Sequence, residues 1–303
     1  MALLKIIGYK IRCTWKNYLR KKTLKRIKQE IITYYSKYPS NNNEITAAVD
    51  YLRQHPLNTF LAPFTQKYNY SQVVVHKDSS NGLLYVIHEN KKLFFKRSYN
   101  KLTVQYCYSG LITEQDENSP HCYIDNKFKV EDNEVLFDIG SAEGIFPLSM
   151  IEKTSRVVLF ERDKEWAEAL EATFEPWKEK VTIITKYVSD KNDLDNISID
   201  SFLNNYSHRP DFIKIDVEGA EMSVINGMKN LIDAKSLKLA LCTYHQTEDY
   251  ELFNHLLSKQ GFKLTSSKGV MIFLNDISHL KPPYLRKGVI RAQTIRENQK
   301  EKK

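Results

Sequence analysis

The sequence has no apolar run that approaches the roughly 18–20 residues a helix needs to cross a bilayer. Cysteine is sparse: Cys13, Cys107, Cys122 and Cys242 form no C-x-x-C pair, which fits reduced thiols rather than a disulfide framework. No H-x-x-x-H pair occurs, so spacing gives no reason to expect a metal. The opening MALLKIIGYKIRC has an early Lys5, a short apolar patch and no small-residue cleavage site. It does not read as a signal peptide, and a cytoplasmic location is expected. Wholesale disorder is excluded by a hydrophobic content of 42%, enough for a sizeable core.

The charge of +8 is unevenly spread. Residues 1–37 hold eleven Lys/Arg against one acid, and residues 281–303 hold eight against two, which leaves the stretch between them at −8. An acidic centre argues against a nucleic-acid partner. Both basic ends remain free to touch an anionic surface.

Residues 1–40 read as a basic amphipathic helix, with Leu3, Leu4, Ile7, Ile11, Trp15, Tyr18, Leu19, Ile27 and Ile31 at three- and four-residue steps. Such a helix can lie on an anionic membrane face, or pack its apolar stripe on the rest of the protein. Residues 41–110 read as an accessory unit: a helix ending near Pro56, then antiparallel strands in SQVVVHKD, LLYVIHEN, KLFFKRS and TVQYCYSGLI. From residue 134, strands alternate with helices, the pattern of a parallel α/β sheet. Expected strands are 134–140, 156–161, 181–188, 211–216 and 237–245, followed by a hairpin of 262–265 and 270–274 turning at Gly269. Helices are expected at 144–153, 163–174, 219–228 and 247–260. This main domain spans 111–280, and residues 281–303 are expected to form an extended or frayed basic tail.

Two motifs carry chemistry. In LFDIGSAEG a strand ends at Asp138, and Gly140 and Gly144 bracket a turn into a helix. Glycine allows tight turning and close approach of a ligand to the backbone. The spacing is D-x-G-x-x-x-G, not the G-x-G-x-x-G of a dinucleotide site, and Glu143 would repel a pyrophosphate. A ligand with a sulfonium and an ammonium suits it better. Glu161, at the end of the next strand, is placed to hold ribose hydroxyls, and Asp190, after the third, can reach an adenine amino group. The second motif, DFIKIDVEGAEMSVINGM, drives a buried strand into Asp216, Glu218 and Glu221. His245, in CTYHQTED, follows the fifth strand at the same sheet edge. A neutral imidazole there is a usable general base beside Asp216. Glu114, Asp116 and His121, before the first strand, and Glu218 are candidate substrate ligands. Glu221 reads as a first-turn acid that complements its helix dipole, Lys214 as a surface cation or the partner of an acid, and Trp166 and Phe174 as core.

These residues resemble the FkbM-like family of S-adenosylmethionine-dependent methyltransferases. DIGSAEG resembles that family's first cofactor motif and FIKIDVEGAEMSVINGM its most specific block, over about residues 111–275. Many members have D-x-G-A-N-x-G where this chain has Ser141-Ala142-Glu143. The resemblance implies a doubly wound, mostly parallel seven-stranded sheet. It also implies S-adenosyl-L-methionine bound by Asp138, Gly140, Ser141, Gly144, Glu161 and Asp190. It further implies methyl transfer to a hydroxyl of a sugar or polyketide, and a sugar in a glycan or glycolipid precursor is the expectation here. Other readings are a nucleotide- or NAD-binding Rossmann enzyme, and a membrane-surface adaptor with a non-catalytic methyltransferase fold. KPPY at 281–284 falls too late in the chain to serve as the motif of a nucleic-acid methyltransferase. Nothing in the sequence sets the oligomeric state.

Overall fold

The segments VLFDI, FIKI and KLALC are buried along their whole length. They carry almost no polar alternation, and strands of that kind need cover on both faces of a sheet. The computed structural model describes residues 2–233, 237–275, 277 and 280–294, with residues 2–19 described as backbone only.

Helix α1 (Ala2–Lys37) packs on α2 (Asn43–Gln54). Asn42 starts α2 by accepting the Glu44 amide. Ile27, Ile31 and Tyr35 of α1 are buried with Leu52 of α2 and with Ile272 and Leu285 far along the chain. Arg20, Lys21, Lys22, Lys25 and Arg26 stay exposed. Among the described residues no helix is long and apolar enough to cross a membrane.

The strands β1 (His76–Lys77), β2 (Leu84–His88) and β3 (Lys91–Phe94) form a small antiparallel sheet. TVQYCYSGLI does not extend it. That stretch lies inside α3 (Lys101–Glu114), where the Asn100 side chain accepts the Thr103 amide as an N-cap. Its β-branched and aromatic residues favour strands, but the cap and the packing of buried Val104 on the accessory sheet override that weak preference.

The main domain runs β4 (Val135–Ile139), α4 (Ile145–Met150), β5 (Arg156–Phe160), α5 (Lys164–Phe174) and β6 (Val181–Ile184). A short parallel pair, β7 (Tyr187–Val188) and β8 (Asn196–Ile197), leads to α6 (Ile199–Leu203) and β9 (Phe212–Ile215). Then come α7 (Glu221–Asn226), α8 (Lys229–Asp233), β10 (Lys238–Cys242), α9 (Asp249–Lys259), β11 (Phe262–Ser266) and β12 (Val289–Thr294). The seven-stranded order is β11-β12-β10-β9-β4-β5-β6, with β12 antiparallel to both of its neighbours. Side chains alternate between two cores. Leu136, Val157 and Leu159 join Phe146, Leu170 and Phe174 on one face. Phe137, Val158 and Phe160 join Val224, Ile225 and Leu231 on the other. This is the expected doubly wound α/β sheet, and Trp166 and Phe174 are core residues as expected.

The last two strands differ from expectation. Residues 270–274 do not pair with 262–265; Met271 instead bridges Phe60 and Arg286. The partner of β11 is β12, from the stretch expected to be a frayed tail. Arg291 conceals that strand in the sequence, because a charge at a fully covered position breaks the apolar pattern. Its guanidinium is buried but satisfied: Nε donates to Tyr123 O at 3.1 Å, and Nη2 donates to Cys122 O at 2.8 Å and Ile124 O at 3.0 Å. Nη1 pairs with Asp125. Residues 295–303 lie outside the described residues.

Arg291→Met keeps the aliphatic stem and strands three carbonyls without donors. It is expected to lower stability by roughly 2–4 kcal/mol, read as a lower urea midpoint; an unchanged midpoint would show that these bonds are not needed.

Candidate active site

Strand β4 runs beside β9 in one direction and β5 in the other, so the chain order reverses at β4. Open α/β sheets bind ligands outside the carboxyl ends of their strands at such a point. Gly140 and Asp216 leave β4 and β9 there. Gly140 has φ +78°, and a Cβ on it would lie 1.9 Å from the Asp216 carbonyl oxygen, so no other residue fits. Gly144 has φ +76°, and a Cβ there would meet Leu170 Cδ2 at 2.6 Å. Ala142 and Glu218, neither of them glycine, also take positive φ, 45° and 55°. Strained backbone of this kind collects at ligand sites.

The loop is held from two sides. Glu161 accepts the Ala142 amide at 2.9 Å and the Asp163 amide at 2.7 Å, tying the end of β5 to the turn. Lys214, buried on β9, donates to Gly140 O at 2.6 Å and pairs with Asp138 Oδ1 at 3.0 Å. Asp138 is therefore a buried counter-ion beneath the loop, and Lys214 is the partner of an acid rather than a surface cation.

Asp216 is the hub. Its Oδ2 accepts Tyr123 Oη at 2.9 Å and lies 3.4 Å from His121 Nε2. Its Oδ1 accepts Tyr244 Oη at 3.0 Å and lies 3.6 Å from His245 Nε2. Burial alone would raise its pKa, but His121, Lys214 and His245 outweigh it and hold Asp216 well below the ordinary carboxylate range. Burial also drives the Tyr123 and Tyr244 phenols upward, with the Asp216 charge adding to it, so both remain donors.

A cavity of about 240 Å³ opens beside this hub. Gly140, Ser141, Glu143, Glu114, His121, Asp216 and Glu218 all line it, with Tyr123, Tyr244 and Phe273. Glu161 and Gly144 build the loop from behind. Asp190 sits apart: exposed, it accepts Ser223 Oγ at 2.7 Å. Asp116 binds Lys67 and Tyr68 at 2.9 and 2.6 Å, well removed from the loop.

One expectation needs correction. His245 is not a neutral base. Burial pulls its pKa down, but the carboxylates of Glu218, Glu221 and Asp216 outweigh that and push it up to about 10, so the imidazole carries a proton at pH 7. Glu221 stands in the first turn of α7 as expected, and it is also buried, accepts the Val217 and Gly219 amides, and lies 2.9 Å from His245 Nδ1. Tyr123 and Tyr244 escaped sequence reasoning. A phenol has no spacing signature that marks it as a ligand of Asp216.

Residues 138–264 match the family model described as the methyltransferase FkbM domain. Over that stretch the chain is similar to the FkbM methyltransferase domain, the family its motifs resemble. No curated protein matches the chain. Among solved structures it is similar to a methyltransferase FkbM from Methylobacillus flagellatus, at 16% identity and a TM-score of 0.43, over 83% of this chain and 62% of that one. The chain thus spans about three fifths of that structure's length. It is also similar to precorrin-6y C5,15-methyltransferase from Geobacter metallireducens, at 14% identity and TM-score 0.37, over 55% of this chain and 85% of that one. A third is an rRNA methylase from Streptococcus thermophilus, at 10% identity and TM-score 0.38, over 55% and 90%.

The methyl donor of the FkbM domain is S-adenosylmethionine. The residues at the loop fit it. Glu143, Glu114, Asp216 and Glu218 surround the cavity with acid, which suits a sulfonium and an ammonium and opposes a pyrophosphate. Glu143 is itself buried, and burial pushes its carboxyl up to about 8. It therefore carries a proton at pH 7 in the free protein, and a cationic ligand beside it favours loss of that proton. The raised value also means that Glu143 contributes stability below its unfolded value near 4.5, lost as pH rises through about 8. Calorimetry of S-adenosylmethionine binding at pH 7, in buffers of different ionisation enthalpy, is expected to show proton release by the wild type and none by Glu143→Gln. Equal release by both would remove Glu143 from the linkage.

Proposed function

We propose that this chain is an O-methyltransferase acting on a hydroxyl group of a sugar in a glycan or glycolipid precursor. The observation that carries the reading is the ionised Asp216 at the carboxyl end of β9, facing a cavity rich in hydrogen-bonding groups. S-adenosylmethionine supplies, when bound, an electrophilic methyl group on a sulfonium sulfur. Asp216 accepts the hydrogen bond of the acceptor hydroxyl and so aims an oxygen lone pair into the cavity. As that oxygen forms its third bond, to the methyl group whose bond to sulfur breaks to leave a neutral thioether, it becomes a positively charged oxonium, and its proton becomes far more acidic than a carboxylic acid. Even a carboxylate held at low pKa takes it then. Tyr123, Tyr244 and His121 fix the Asp216 carboxylate in place, and protonated His245 adds a positive charge 3.6 Å from it.

Glu114 and Glu218, at the cavity wall, offer acceptors for further hydroxyls, which supports a polyhydroxylated acceptor. The acidic lining disfavours a polyanion such as nucleic acid. The exposed Arg20, Lys21, Lys22, Lys25 and Arg26 support a second element of the proposal, peripheral attachment to an anionic membrane where lipid-linked glycans are built.

Incubation with labelled methyl donor and a host glycolipid fraction is expected to give label in an ether that survives alkali and appears in a methylated monosaccharide after acid hydrolysis. Label confined to ester or nucleic acid would refute the reading. Asp216→Asn is expected to cut kcat by about 10²–10⁴-fold while leaving S-adenosylhomocysteine affinity within a few-fold, measured by calorimetry. Removing α1 would expose the core around Ile31, so attachment is best tested by charge. Lys21→Glu/Lys22→Glu/Lys25→Glu is expected to abolish co-sedimentation with phosphatidylserine vesicles, and undiminished binding would remove the membrane proposal.

A further inference from the structure

The methyl-transfer reading leaves the surroundings of His245 partly unexplained. Its side chain is 1% exposed, yet neither ring nitrogen has a hydrogen-bond partner of usable geometry. Buried imidazole nitrogens are rarely orphaned. Three carboxylates nevertheless converge on the ring. Nε2 lies 3.6 Å from Asp216 Oδ1 and 3.5 Å from Glu218 Oε2, and Nδ1 lies 2.9 Å from Glu221 Oε1. Asp216, Glu221 and His245 offer ligand atoms that all lie within 4.8 Å of one another.

Ligand atoms around one divalent cation at bond lengths of 2.0–2.2 Å stand about 3 Å apart. The separations from Nε2 exceed that by only about half an ångström, and Glu218 can close the gap, because its side chain is 72% exposed. Its backbone is held at φ +55°, a strained conformation that keeps this carboxylate beside the ring. Tyr244 already donates to Asp216 Oδ1, but a carboxylate oxygen has two lone pairs and serves both. Glu221 Oε1, 2.9 Å from Nδ1, stands where a carboxylate that orients a metal-bound histidine stands, and a small turn of the ring would complete that bond.

We propose that His245 Nε2, Asp216 and Glu218 form a site for a hard divalent cation of the Mg²⁺/Mn²⁺ class, with Glu221 as the positioning residue behind the imidazole. Two carboxylates and one imidazole with open positions suit such ions better than thiophilic ones. Only the cation's use rests on the methyl-transfer reading: there it would bind the acceptor's hydroxyl oxygen and lower the pKa of that hydroxyl. The ligands come from the ends of two neighbouring strands, β9 and β10, so no single-helix spacing such as H-x-x-x-H announces them.

The full chain, without methyl donor or acceptor, is titrated with Mn²⁺ while the free ion is followed by electron paramagnetic resonance. One ion per chain is expected, with affinity at least ten-fold weaker in Glu218→Gln and in His245→Asn. Glu218→Gln changes an exposed side chain and keeps the fold, checked by circular dichroism, and Glu89→Gln on the accessory sheet serves as the unaffected control. Absence of stoichiometric binding up to millimolar Mn²⁺, or equal affinity in wild type and Glu218→Gln, overturns the proposal. A protein that binds Mn²⁺ in this way but methylates no hydroxyl would refute the proposed function and leave the cation site standing.

Discussion

Burying Lys214 between β4 and β10 is costly unless its charge is matched, and the way it is matched organises the rest of the site. Its ammonium pairs with Asp138 and donates to the carbonyl of Gly140, so one cation neutralises the acid under the cofactor loop and clamps the loop's first peptide. The same positive charge helps keep the neighbouring Asp216 ionised. Buried charges persist only when paired and hydrogen-bonded, and here the pairing joins the two strands that flank the switch point. The close approach of Gly140 to the Asp216 carbonyl then places the glycine turn and Asp216 against each other.

Around that centre the electrostatics divide by role. Asp216 is surrounded by donors and stays charged, whereas Glu143, buried with little compensation, stays protonated until a cation arrives. His121 and His245 both sit against carboxylates and titrate above an ordinary imidazole. Acid, cation and phenol thus hold one another in definite protonation states, and a fixed dipole array of this kind needs no reorganisation during reaction.

The FkbM match covers the sheet from β4 to β11, but much of the cavity wall comes from outside it. Thr59, Leu111, His121 and Tyr123 precede the matched region, and Met271 and Phe273 follow it. These segments are held together by β12, whose Arg291 fixes residues 122–125, and by the α1–α2 pair packed on residues 270–285. The glycine turn and Asp216 therefore lie within the matched stretch, while much of the cavity wall comes from the rest of the chain.

The sequence alone determined the sheet, the glycine turn and the acidic edge. Local signals carry all three: unbroken apolar strands, glycines where the backbone must take positive φ, and acids at strand ends. It did not determine that Arg291 lies in a central strand, that TVQYCYSGLI is helical, or that His245 is charged. Those outcomes depend on partners outside the local segment: the carbonyls of residues 122–124, the accessory sheet beneath α3, and the carboxylates of Asp216, Glu218 and Glu221. Burial and charge pairing are properties of neighbours in space, so a side chain's protonation state and the fate of a lone charge in a strand are settled only once the chain has folded.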